Sequence, residues 1–167
     1  SQQLTIKLGI AQRILEARFP GPWRIGPSAP VAYAAAGDAP GGMLTTQLFK
    51  GDEPILGNPE VTALLVELSR LTGTKLGIGQ RVANDLVVRL AAGDTATGRS
   101  GALSLMPPQA AFVFADGNPV VGGQQDWTLY WPIRAPGTDS IIGVLDAATP
   151  YAPFAAAATA ASRQVAE

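Results

Sequence analysis

One stretch, residues 126–149 with the sequence DWTLYWPIRAPGTDSIIGVLDAAT, limits the possible folds more than any other. Tyr130, Pro132 and Ile133 close a first strand. Arg134 to Asp139 turn the chain, with Pro136 fixing φ and Gly137 freeing it. Ile141 to Leu145 then form a near-continuous apolar run rich in β-branched residues, which favour strands. The pattern predicts a β-hairpin at the centre of a sheet, with the other segments covering or extending it.

A chain of 167 residues with 47% hydrophobic and 15% charged content has enough apolar surface for one domain with a sizeable core. Its formal net charge of −1 gives no support for a nucleic-acid partner, which would want a basic face, and none is expected. Cysteine and histidine are both absent. That removes thiol nucleophiles, thiolate metal sites and disulfides, together with the commonest metal ligand and general base. No apolar run reaches the roughly 18 to 20 residues of a membrane helix. The chain opens directly in a helical pattern, so an excised piece of a longer protein is one reading of its start.

Residues 3–18 read as an amphipathic helix, with Leu4, Leu8, Ala11 and Leu15 on one stripe and Ile10 and Ile14 widening it. The stripe suits packing on the chain's own sheet or a dimer seam, and both can occur along one helix. Pro20 and Pro22 flank Gly21 and stop the helix. Residues 26–42 read as loop with a short strand at Val31 to Ala35. Met43 to Phe49 read as a strand, and Pro54 to Leu56 as a short return. Asn58, Pro59 and Glu60 open a second helix as N-cap, first-turn proline and first-turn acid. Val61, Leu64, Leu65, Leu68 and Leu71 form its apolar face, and Gly73 ends it. Lys75 to Ile78 read as a short strand, and a further helix is expected from Asn84 or Asp85 to Gly93. Ala110 to Phe114 gives another strand signal, and Pro153 to Val165 reads as a C-terminal helix. This order predicts an α+β fold, an antiparallel sheet with helices largely on one side.

Catalytic chemistry has little to work with. No serine has an imidazole base, and Lys7, Lys50 and Lys75 fit no serine–lysine motif. Asp116, Asp126, Asp139 and Asp146 lie near turns or strands without a spacing that pairs them. The glycines form no phosphate loop. The chain is therefore expected to bind rather than catalyse, with no cofactor and no metal. By alternation, Asp126, Thr128 and Tyr130 share one strand face, and Trp127, Leu129 and Trp131 share the other. The two tryptophans suit a core. The polar face suits either a small polar ligand or solvent. Arg81, just past the Lys75–Ile78 strand, presents a planar fork suited to an anionic group such as a small organic acid. With Phe112 on the Ala110–Phe114 strand, the expected ligand-binding set is Arg81, Phe112, Asp126, Thr128 and Tyr130.

An ordered series of motifs from about Leu4 to Phe154 resembles the single Cache domain, an extracytoplasmic sensor module of bacterial chemoreceptors, histidine kinases and related two-component receptors. Arg18-Phe19-Pro20-Gly21-Pro22-Trp23 is similar to the family's Y-P-G-x-W exit from its first helix. Leu48-Phe49-Lys50-Gly51-Asp52 is similar to L-Y-K-G-D, and Leu71-Thr72-Gly73 closes a helix like that of the family. Residues 90–99, LAAGDTATGR, are similar to V-L-x-G-x-x-Y-x-G-x-A, with Ala96 in place of the tyrosine. Tyr130-x-Pro132-Ile133 with Ile141-Ile142-Gly143-Val144-Leu145 is similar to Y-x-P-I-x-D-x-x-G-x-V-I-G-x-L. Between these, Thr74 to Asn84 is read as skipping most of the family's following hairpin.

The resemblance implies a long N-terminal helix (1–20) on a PAS-like five-stranded antiparallel sheet within 43–149, and an exit helix (153–167), all in one domain spanning 1–167. It implies a pocket on the sheet face away from that helix and membrane helices beyond both ends. The function implied is a periplasmic or extracellular sensor of a small solute, part of an inner-membrane protein, homodimeric through its first helix. The alternative is a PAS- or profilin-like dimerisation or protein-interaction module without a small ligand.

Overall fold

The computed structural model describes residues 2–35, 39–83, 86–92, 103–105, 113–114, 117–122 and 128–148. Within these the architecture is α+β, with two helices and two antiparallel sheets. Helix α1 (Gln2–Arg18) leads into strands β1 (Trp23–Tyr33), β2 (Gly42–Lys50) and β3 (Glu53–Pro54), which form a three-stranded sheet. Helix α2 (Pro59–Thr72) follows. Strands β4 (Lys75–Ala83), β5 (Leu86–Ala91), β6 (Leu103–Leu105), β7 (Val120–Gly122), β8 (Thr128–Arg134) and β9 (Ile141–Ala148) form a six-stranded sheet in the order β6-β5-β4-β9-β8-β7.

The hairpin expected at residues 126–149 is β8 and β9. Its register runs from Thr128 opposite Ala148 to Ile133 opposite Gly143. Gly137 takes φ 74° in the turn, a left-handed conformation that glycine adopts without strain. The other neighbour of β9 is β4, so the hairpin lies inside the sheet as its apolar run demands.

Helix α2 starts and stops where the local chemistry says it should. Asn58 accepts a hydrogen bond from the Glu60 amide, Pro59 occupies the first turn, and Gly73 ends the helix at φ 66°. Val61, Leu64, Leu65 and Leu68 are buried, but Leu71 is 68% exposed. The stripe Leu4, Leu8, Ala11 and Leu15 of α1 is buried in the main core with α2 and with Leu76, Ile78, Leu90 and Leu145 of the large sheet. Both helices therefore cover one sheet face.

The exit from α1 is tied to the β2–β3 turn. The Gly51 amide donates to the Pro22 carbonyl at 2.8 Å, and Arg24 Nε donates to the Gly51 carbonyl at 2.9 Å. Lys50, only 2% exposed, meets Glu16 of α1 at 2.5 Å, donates to the Gly21 carbonyl and lies 5.6 Å from the centre of the Trp23 ring. A buried ammonium needs such partners, because each donor left empty there would carry its full desolvation penalty.

Several expectations from sequence are corrected. The segment 26–42, read as loop, begins within an eleven-residue strand, β1. Pro27 and Pro30 are tolerated because β1 is an outer strand of its sheet and its register shifts between Pro27 and Val31. The helix expected from Asn84 or Asp85 is strand β5, paired on both sides by β4 and β6. Leu86, Val87 and Leu90 fit a helical face, but adjacent Val87 and Val88 are both buried, as a strand covered on two faces requires. The β4–β5 pair is also a full hairpin, so the chain does not skip one here. Strand β4 runs beyond Ile78 to Ala83 and takes in Arg81. Met43 to Phe49 belong to the separate small sheet and not to the large one, whose described strands are β4 to β9. Val113 and Phe114 lie in a helical turn rather than a strand. The expected C-terminal helix, 153–167, lies outside the described residues.

Candidate functional site

The large sheet has a second face, turned away from α1 and α2. Side-chain alternation sends Leu76, Ile78, Leu90 and Leu145 towards the helices, so Arg81, Arg89, Thr128, Tyr130 and Asp146 point the other way. A small separate cluster of Val113, Tyr130, Ile141 and Val144, with Phe114 and Val120 against it, packs on that face.

The centre of this face is an ion pair across two strands. Arg89 Nε donates to Asp146 Oδ2 at 2.8 Å and Nη2 donates to Oδ1 at 2.6 Å. The Asp146 side chain is 2% exposed and that of Arg89 22%. Arg89 is on β5 and Asp146 on β9, with β4 between them. The residue of β4 opposite Asp146 is Gly77. A Cβ on Gly77 would collide with Arg89 Nε and would stand 2.5 Å from Asp146 Oδ2. The absence of a side chain there lets the guanidinium cross the strand and form its two-pronged contact.

Tyr130 stands directly opposite Asp146 on the next strand and is 5% exposed. Burial, and after it the negative charge of Asp146, raise its phenol above the ordinary value of 10.0. Arg89 and a hydrogen bond with Thr128 pull it partly back. Tyr130 therefore keeps its phenol proton at physiological pH. Farther along β4, the Arg81 guanidinium carbon lies 4.3 Å from the centre of the Phe114 ring, a cation–π contact.

Of the five residues expected to bind ligand, the structure brings Arg81, Thr128 and Tyr130 to this one face. Phe112 and Asp126 lie outside the described residues, as does Trp127. Trp131 is half-buried against the main core, as expected for the opposite face. Sequence reasoning passed over Arg89 and weighed Asp146 only as a catalytic acid. A signal was present, since Asp146 interrupts the otherwise apolar run IIGVLDAA. A carboxylate in a covered strand needs a cation.

Elsewhere, a hollow of about 310 Å³ opens beside the α1 exit, lined by Arg18, Phe19, Pro20, Lys50, Asp52, Glu53 and Glu60. Among the described residues no group of three or more acidic side chains is placed to hold a metal ion. No helix of the described residues is long and apolar enough to cross a membrane. No family model matches the chain, and no curated protein matches it.

Proposed function

We propose that the chain is the extracytoplasmic ligand-binding sensor domain of a membrane-bound bacterial signalling receptor, with a PAS-like, Cache-type fold. It binds a small solute on the sheet face of Arg81, Arg89, Tyr130 and Asp146 and relays occupancy through its terminal helices. The observation that carries this reading is the Arg89–Asp146 pair with Tyr130 beside it, a cluster of charge and hydrogen-bonding capacity on a partly buried sheet face. A face that only had to pack would be more stable with apolar residues of similar volume. The motif series from Leu4 to Phe154 and the covering of the other face by α1 support it further. The solute belongs to the class a guanidinium recognises, small organic acids first. The reading places the chain outside the cytoplasmic membrane, between membrane helices of a longer protein, and assigns binding to it rather than catalysis.

The reading includes a homodimer through α1. Leu4, Leu8, Ala11 and Leu15 are committed to the core. The seam would therefore use the exposed line Gln3, Ile6, Ile10, Arg13 and Ala17, which has alternating heptad spacing and leaves Ile6 60% exposed. That exposed line also favours the second reading, a dimerisation module with no small ligand. A thermal-shift screen against small acids, amino acids and amines separates the two. A solute that binds only the folded state raises the melting temperature with concentration. Substitution of Arg81 by Met should reduce that rise. A screen without any specific shift, together with a dimer lost on Ile6→Lys, would leave the second reading standing.

A further inference from the structure

Strand β4 sends neighbouring side chains to two destinations. Arg81 faces the Arg89–Asp146 side, while Gln80 points to the other side and is 1% exposed. The Gln80 amide is spent on the small sheet. Its Oε1 accepts from the Leu48 amide at 2.8 Å, and its Nε2 donates to the Thr46 carbonyl at 3.2 Å. Those two groups lie on the edge of β2 beyond its short pairing with β3, which covers Phe49 and Lys50. One acceptor and one donor offered at that spacing are what the peptide group of an adjacent strand presents. Gln80 thus stands in for a strand. Two residues past Leu48, Lys50 ends β2 and holds Glu16 of α1 and the Gly21 carbonyl.

We infer that Gln80 couples the Arg89–Asp146 face to helix α1. A displacement of β4 caused on that face is carried by the Gln80 amide into β2 and by Lys50 into α1. The bond from the Leu48 amide is buried and that to the Thr46 carbonyl partly buried, so a shift that opens the first leaves a buried polar group unsatisfied. The joint therefore has two positions, β2 seated on the amide or released from it, and a bias on β4 changes their populations. The coupling is a property of the fold, and only its use in signalling rests on the binding reading above.

The test needs no ligand. Hydrogen exchange at the Leu48 amide and at α1 amides is measured relative to α2 amides in the parent, in Gln80→Leu, in Arg89→Lys and in the double variant. Gln80→Leu alone should speed Leu48 exchange roughly tenfold, the worth of one net hydrogen bond. Arg89→Lys keeps the charge on the far face but loses the two-pronged fork. It should speed exchange at Leu48 and in α1 when Gln80 is present, and have no further effect there when Gln80 is Leu. An equal response in both backgrounds, or none in the parent, overturns the proposal. If Gln80→Leu does not fold, Gln80→Glu replaces it. That variant still accepts from Leu48 but sets an oxygen against the Thr46 carbonyl, so undiminished transmission through it also overturns the proposal. Because no solute is added, failure of the coupling leaves solute binding intact, and failure of solute binding leaves the coupling intact.

Discussion

Gly21 and Gly51 face one another at the exit of helix α1. A Cβ on Gly21 would stand 2.7 Å from the Gly51 Cα, and one on Gly51 would stand 2.5 Å from the Pro20 carbonyl oxygen. Both residues have positive φ, 110° and 61°. Neither position accepts a side chain, on grounds of space and of backbone conformation alike. Gly51→Ala is expected to destabilise by about 1 to 3 kcal/mol in urea unfolding. Combined with Gly21→Ala the loss should fall short of the sum, because one displacement relieves both clashes. Strict additivity would show that the two backbones do not share a contact.

Gly143 and Gly9 make an opposed pair of tests. A Cβ on Gly143 would collide with the Gly79 carbonyl oxygen and touch Ile133 Cδ1 at 3.4 Å. Gly143→Val should therefore lower stability by about 1 to 3 kcal/mol through overpacking against the β4 backbone. Gly9, inside α1, has nothing within 4 Å of a Cβ. Gly9→Ala should instead stabilise by about 0.5 to 1 kcal/mol, through helix propensity and a less flexible unfolded chain. Melting curves of the two variants should move in opposite directions from the parent.

Removing Arg89 strands the Asp146 carboxylate, whose side chain is 2% exposed. Arg89→Met is expected to destabilise by about 3 kcal/mol at neutral pH, the cost of leaving one partner of a buried pair uncompensated. Asp146→Leu should be milder, because Arg89 is partly solvated and can turn to water. The double variant should recover much of the loss from Arg89→Met, as an apolar pair in place of a buried ion pair often does. A double variant less stable than either single one would mean that the pair is held by more than its own charge.

Parts of this arrangement were legible in the sequence because their causes are local. Asn58, Pro59 and Gly73 specify the ends of α2 within its own turns. Pro136 and Gly137 specify the β8–β9 turn in the same way. The motifs F-P-G-P-W and L-F-K-G-D, well separated along the chain, meet in space through Gly21, Gly51 and Lys50. Strand β5 was not legible, because Leu86, Val87 and Leu90 trace a helical face, while a strand buried on both faces has no alternation to show, and only pairing with β4 and β6 decides. Strand β1 was hidden by Pro27 and Pro30, which an outer strand tolerates. The Arg89–Asp146 pair depends on the register of three strands and on a glycine in the middle one, and no short stretch encodes that. The strand signal at Lys75 to Ile78 stops short of Arg81, which reaches the face because β4 continues to Ala83.

The last prediction concerns pH and Tyr130. Its phenol is raised above 10.0, first by burial and then by the charge of Asp146, with Arg89 and Thr128 opposing. The folded chain therefore retains this proton at a pH where the unfolded chain has released it. Where the native state binds more protons, stability falls as pH rises. The contribution is fully present below the unfolded value of about 10 and is lost as pH climbs from there through the folded value. Tyr130→Phe removes the titrating group and should flatten this part of the alkaline stability profile relative to the parent. Asp146→Asn removes one of the two raising causes, so the phenol should ionise at lower pH than in the parent. Phenolate absorbance measured in folded protein, with the Tyr130→Phe spectrum subtracted, follows this single group. A Tyr130 that titrates at or below 10 in the folded chain would mean that its hydroxyl is open to water and that the sheet face beside Asp146 is not buried as the geometry has it.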